Sequence, residues 1–144
     1  MATITTNEFL ARIHGGERNF CHMDLSGVDL NGRDLRQLMF CGTILTDANL
    51  EQADLRFSDL RNADLDRVNL TDAILSRANL TGASLEDTLL VRAKFRGANL
   101  RNVLLQKAIL QDTDFWYATM PDRTLNLGRV SYVALIQTQY PQMF

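Results

Sequence analysis

Cysteine, proline, histidine and tryptophan are all scarce in this chain of 144 residues, numbering two, two, two and one. Two cysteines, Cys21 and Cys41, cannot supply the bridges that hold small secreted domains together, so a reducing compartment, the cytoplasm, is expected. Long apolar runs are missing as well. The longest, Val133 to Ile136, falls far short of the roughly twenty residues a membrane-spanning helix needs. The opening MATITTNEFLARIHGG has neither a basic n-region nor an apolar h-region, so no export signal is expected either. An excess of one charge is lacking too: seventeen acidic and fifteen basic residues give a formal charge of −2, so direct nucleic-acid binding is not expected. There is no nucleophile elbow, no phosphate-cradling glycine loop and no paired metal-binding histidine motif, so neither catalysis nor a cofactor is expected.

What the sequence does have is a period. A large apolar residue falls on every multiple of five from Phe20 to Met120, at 21 positions that comprise sixteen Leu, four Phe and one Met. Two residues before each centre, from Thr43 onward, stands a small residue, Ala at ten of sixteen positions. Between the two the chain prefers Asp or Asn, as at Asn49, Asp54, Asp59, Asp64, Asn69, Asn79 and Asn99.

A period of five excludes the common elements. On an α-helix five residues advance about 500°, so the leucines would spiral over every face. On one continuous strand, alternation by two would throw successive leucines to opposite faces. The small and the large residue are two apart and can share a face, but the next inward residue comes three later, so the chain must turn in between. Each unit is therefore one short side plus one corner. A chain turning the same way at each corner stacks its coils at ~4.8 Å, the logic of a solenoid.

Charge decides the number of sides, because stacked residues are direct neighbours and like charges there repel. With four sides, residues twenty apart stack, and the columns Asp47, Arg67, Asp87, Lys107 and Asp72, Arg92, Asp112 alternate in sign at every step. With three sides, Arg77, Arg92 and Lys107 would stack in succession. Four sides also align Phe20 with Phe40 and Phe95 with Phe115, and pair Asn49 with Asn69 and Asn79 with Asn99 as candidate amide ladders.

The units ADLRF, ADLDR, ANLTG, ASLED and ANLRN resemble those of the pentapeptide repeat family, over residues 18 to about 120. The resemblance implies an all-β solenoid, a right-handed quadrilateral parallel β-helix with four pentapeptides per coil. About five coils at ~4.8 Å give a rod roughly 25 Å long. The beginning departs from the pattern: Arg18, Met23, Arg33 and Leu38 occupy the position of the small inward residue. An unpaired arginine is costly in an apolar core, so an irregular first coil is expected, with Arg33 leaving through the open end or bonding backbone carbonyls there.

A solenoid leaves an open edge and core cross-section at each end, and residues 1–19 and 121–144 break the repeat as caps would, around a β-helix at 20–120. Thr5 and Glu8 have capping-box spacing, Phe9, Leu10 and Ile13 share one helical face, and Gly15 and Gly16 stop the turn, which predicts a helix from Thr6 to His14. Beyond Pro121, the stretch Tyr132, Val133, Leu135, Ile136 and Tyr140 predicts a second short helix ended by Pro141.

Three groups of residues are candidate sites. Cys21 stacks on Cys41 with His22 beside them; three potential ligands lack a fourth, so no metal is assigned. Exposed thiols are the expectation for that pair, although stacked Cα atoms ~4.8 Å apart also allow a disulfide. Arg36, Arg56, Arg96 and Trp116 share one column and Phe57, Arg77 and Tyr117 the next, a strip able to bind anions or single strands by charge and stacking. Asp34, Asp54, Asp59 and Asp114 lie within three residues of these groups, so a solvated, internally paired wall is the stronger expectation. Finally, Ile44, Ile74, Leu89, Leu104 and Ile109 are apolar where the repeat wants Asp or Asn. Leu89 stacks on Ile109 with Val91 close by and Leu104 on the adjoining wall, a cluster that is covered by the C-terminal segment, used by a partner or a second copy, or merely tolerated.

The inward positions fill a core and leave no concave pocket, so the expected role is a non-catalytic protein-interaction or regulatory module, its partner unidentified and a homodimer possible. The alternative is modulation of DNA gyrase by mimicry of duplex DNA, as the family's quinolone-resistance members imply. Fourteen acidic and eleven basic residues between 20 and 120, with no loop breaking the repeat, stand against it.

Overall fold

The computed structural model describes residues 2–121, and the second helix expected beyond Pro121 lies outside them. The chain opens with α1, Thr6–His14, the range the capping box predicts. The Thr5 hydroxyl accepts the Glu8 N–H, and the Glu8 carboxylate accepts the Thr5 N–H at 2.9 Å, so two donors left over at the helix start are satisfied. Phe9, the buried residue of α1, packs on Phe20 and Phe40 with ring centroids 4.5 and 6.1 Å away. α1 thus lies against the first coil.

From Asn19 to Thr119 one residue of each unit forms a parallel bridge with the residue twenty further on: Asn19 with Met39, Asp24 with Ile44, and so on to Asn99 with Thr119. Four five-residue sides therefore make one coil. The register matches the charge argument, with Arg67 on Asp47 at 2.8 Å and Arg92 on Asp72 at 2.6 Å. Four faces follow one another around the coil: one carries Asp24 to Leu104, which we number first, the second Asp29 to Ile109, the third Asp34 to Asp114 and the fourth Asn19 to Thr119.

The corners are β-turns, and at every centre from Phe20 to Phe115 except Leu35 the turn is closed by an N–H three residues beyond the central apolar residue, as from Ala63 to the Leu60 carbonyl at 3.1 Å. The second corner residue has a positive φ in every unit from His22 to Tyr117, fifteen times in a residue other than glycine. Such backbone is unfavourable for residues with a side chain, and the coil's ladder holds it in place. From His22 to Asn102 the N–H of each such residue bonds a carbonyl one coil on, as Arg77 does to Arg96 at 2.9 Å. At Gly42 glycine is required for a second reason, since a Cβ there would stand 2.5 Å from the His22 ring.

Inside, Leu25, Leu30, Leu55, Leu60, Leu65, Leu70, Leu75 and Leu80 are fully buried, each contributing about 1.5–3 kcal/mol of burial. Phe20 stacks on Phe40 and Phe95 on Phe115, with centroids 5.9 and 5.2 Å apart. The polar inward residues are all satisfied: the Thr43, Thr88 and Thr113 hydroxyls donate to the carbonyls of Phe20, Leu65 and Leu90 at 2.7–2.8 Å, and Ser58 donates to Leu55.

Two expectations are corrected. The first coil is regular, its bridges in the same register as the rest, because a side chain too large for the interior can leave through an end on which no earlier coil stacks. Arg33 does so and is exposed, while Arg18 donates to the carbonyls of Ile13 and Glu17 at 3.1 and 2.9 Å. The stacked asparagines form no amide ladder; their side-chain oxygens turn to the corners instead.

Candidate interaction surfaces

The corner bond explains the preference for Asp or Asn before each centre. In all twelve units that have one, its Oδ1 accepts the N–H of the first corner residue, as Asn79 does from Thr81 at 3.1 Å and Asp59 from Arg61 at 3.2 Å. Ser84 is covered differently: Asp66, one coil earlier, accepts both the Ser84 hydroxyl and the Glu86 N–H. Thr119 needs no such acceptor, since the next corner opens with Pro121, which has no N–H.

Leu89, Leu104 and Ile109 forgo that bond, and their side chains face outward, 38, 50 and 49% exposed. Leu89 and Ile109 are bridged partners on the second face, Val91 opens the corner beyond Leu89, and Leu104 lies on the first face across the corner formed by Gln106 and Lys107. The register thus gathers these four residues at the C-terminal end of two adjoining faces. Ile44 and Ile74 are half-buried and lie apart from them, Ile74 on the third face.

The arginine and aromatic strip runs along the diagonally opposite corner, between the third and fourth faces. Three of its four arginines are paired with aspartates. Arg36 bonds Asp34 at 2.8 and 2.7 Å, Arg56 bonds Asp54 at 2.9 and 2.6 Å, and Arg96 bonds Asp114 at 2.5 Å. The Arg36 hydrogen bonds hold the Asp34 carboxyl down at about 2, and Arg56 lowers that of Asp54 in the same way. The Arg77 guanidinium lies 5.8 Å from the Phe57 ring centroid, and Trp116 contacts Tyr117 at 5.6 Å. Phe57 and Tyr117 remain half exposed. A strip in which three of four guanidiniums are answered by a carboxylate within two residues or one coil is a weak anion site.

Cys21 and Cys41 are joined by a disulfide, with Cα atoms 4.6 Å apart, where exposed thiols were expected. Stacking in neighbouring coils alone brings them within bonding range. Their sulfurs are therefore not thiolate ligands, and the His22 ring lies over Gly42.

One cluster was not among the candidate sites. Between α1 and the third face lies a cavity of about 350 Å³ lined by Leu10, Ile13, His14, Arg18, Arg33 and Arg36, among others. It adjoins a second of about 320 Å³ that shares Arg18, Asp34 and Arg36 and reaches Arg56 and Phe57. The sequence carried a signal for it, namely arginines at two positions reserved for small residues.

Corners without an enclosed site, parallel bridges at a fixed twenty-residue step and a core of stacked leucines define a β-helical repeat protein. The family model described as pentapeptide repeats matches in eight copies, over residues 24–56, 35–72, 48–87, 73–112 and 88–121, and the chain belongs to that family. Its neighbours are pentapeptide repeat proteins, known as right-handed quadrilateral β-helices. Among solved structures, the chain is similar to a pentapeptide repeat protein of the Arabidopsis thaliana thylakoid lumen, at 29% identity and a TM-score of 0.52, covering 69% of this chain and 73% of that one. It is also similar to Rfr23 of the cyanobacterium Cyanothece 51142, at 27% identity and a TM-score of 0.44 over 81 and 96% of the two chains. The plasmid-mediated fluoroquinolone resistance protein QnrB1 matches at 23% identity and a TM-score of 0.37 over 69 and 56%. No curated protein sequence matches the chain. Among the described residues, no helix is long and apolar enough to cross a membrane.

Proposed function

We propose that this chain is a non-catalytic interaction or regulatory module. It is a right-handed rod of about five coils over residues 20–120, capped at its start by residues 1–19, that offers rigid walls to a protein partner. The observation that carries the reading is the apolar cluster of Leu89, Leu104 and Ile109, with Val91 beside it. Three units forgo a corner hydrogen bond that twelve others make, and in exchange expose leucine and isoleucine side chains on the rod's surface. A flat apolar face on a stiff support is suited to a preformed contact, because little side-chain or backbone freedom is lost on binding.

The test places a photo-crosslinking residue at Ile109 and, in a separate variant, at Asn99 on the fourth face. A single adduct formed through position 109 and not through position 99 supports the reading, and its mass says whether the occupant is a second copy or another protein. Equal capture at both positions, or none at 109, overturns it.

A further inference from the structure

The groove between α1 and the corner of the third and fourth faces holds four guanidinium groups, and two of them have no counter-charge. Arg36 and Arg56 are each spanned by a carboxylate, Asp34 and Asp54. Arg18 donates to two backbone carbonyls, which bear no net charge. Arg33 is exposed and, among the described residues, its guanidinium has neither a hydrogen bond nor an ion pair. Both occupy positions at which the repeat from Thr43 onward places a small buried residue, so neither serves the core. Beside them α1 offers Leu10 and Ile13, half-buried and exposed on the groove side. The two cavities share Arg18, Asp34 and Arg36, and so run together as one elongated depression with an apolar side and an unanswered positive charge.

We propose that this groove binds an extended acidic peptide segment of a partner protein, with a carboxylate held by Arg18 and Arg33 and an apolar side chain laid on Leu10 and Ile13. The inference rests on the reading of the chain as an interaction module and supplies it with a second contact, at the other end of the rod from Ile109. Charge complementarity selects the sign of the partner. Arginine suits the task because its planar fork pairs both oxygens of a carboxylate, and a guanidinium with free donors loses no existing bond in doing so. The length of the depression and its apolar side select a peptide over a lone oxyanion, which would leave Leu10 and Ile13 unused.

The probe is the synthetic peptide acetyl-Gly-Glu-Leu-Glu-Leu-Gly-amide, titrated into the uniformly ¹⁵N,¹³C-labelled chain while the arginine Nε–Hε and the methyl signals are followed by NMR. Saturable shifts are expected at Arg33, Arg18, Leu10 and Ile13. Arg33→Glu should weaken binding by about tenfold or more, since it sets a like charge against the ligand. The peptide with both Glu replaced by Gln should weaken it comparably. Arg33 is exposed and unpaired, so the variant should keep the wild-type spectrum elsewhere, and Arg33→Gln gives a second reading should it not. The proposal is overturned if the shifts are shared equally with Arg61 and Arg92 on other corners, if Arg33→Glu binds within about twofold of wild type, or if sodium phosphate alone reproduces the pattern. Crosslinking through position 109 does not involve the groove, so its failure and the failure of this proposal are separately visible.

Discussion

Replacing Leu80 and Leu104 in turn by Asp puts the same carboxylate at an inward and an outward position of one repeat. Leu80 is fully buried in the middle of the rod, its unit stacked between those of Leu60 and Leu100. Leu80→Asp forfeits about 1.5–3 kcal/mol of burial and adds the desolvation of a carboxyl group with no partner, several kcal/mol more. The sum reaches the whole stability of an ordinary domain, about 5–15 kcal/mol, so the variant should be unfolded or close to it. Leu80→Ala keeps the site apolar and should cost about 2–5 kcal/mol while remaining folded, which makes it measurable. Leu104 is half exposed. Asp there can accept the Gln106 N–H as Asp59 accepts that of Arg61, so Leu104→Asp should stay within about 0.5 kcal/mol of wild type. Urea unfolding followed by far-ultraviolet circular dichroism, with unchanged m-values, reads all three. A loss at Leu104→Asp comparable to that at Leu80→Ala would refute the inward and outward assignment on which the surface argument rests.

Three further outcomes are expected. Asp34, Asp54 and Asp59 have carboxyl groups lowered by the Arg36, Arg56 and Arg61 hydrogen bonds, so between about pH 4 and pH 2 the unfolded chain binds more protons than the folded one. The urea midpoint should therefore be level above about pH 5 and fall steadily towards pH 2, and a level midpoint down to pH 2 would contradict the pairing. Reducing the Cys21–Cys41 bond opens a twenty-residue loop and should cost about 3 kcal/mol, seen as a lower midpoint with reductant; two reactive thiols in the untreated protein would deny the bond. Gyrase supercoiling, and its inhibition by quinolones, should be unchanged at micromolar protein, since many of the walls' carboxylates are paired with arginine and the acidic excess is small; potent inhibition lost on replacing Asp59 and Asp64 would restore the mimicry reading.

The coil was legible because its signals are redundant. Twenty-one centres in phase and two charge columns fix the step of twenty, and Thr5 with Glu8 sets the start of α1. The arginine strip was legible as a largely paired wall for the same reason, Arg36, Arg56 and Arg96 each having an aspartate nearby. The corner conformation was hidden, since glycine marks it at only a few units and Phe57, Arg77 and Arg92 adopt the same backbone under the ladder's constraint. The asparagines misled because an amide can ladder with its neighbour or accept a corner N–H, and only the local geometry chooses the second. The groove was out of reach because it depends on where α1 lies against the first coil, which no spacing within the repeat specifies.

The four-sided register places every surface discussed above, and paired cysteines test it directly. In a chain with Cys21→Ser and Cys41→Ser, the pair Thr81→Cys and Arg101→Cys occupies the same corner column twenty residues apart, where Gly82 N–H bonds the Arg101 carbonyl at 2.9 Å. The pair Thr81→Cys and Arg96→Cys is fifteen residues apart, the step of a three-sided coil. Mild oxidation, read by intact mass and thiol titration, should close the first pair completely within the monomer and leave the second open. Closure of the second pair in preference to the first would contradict the account.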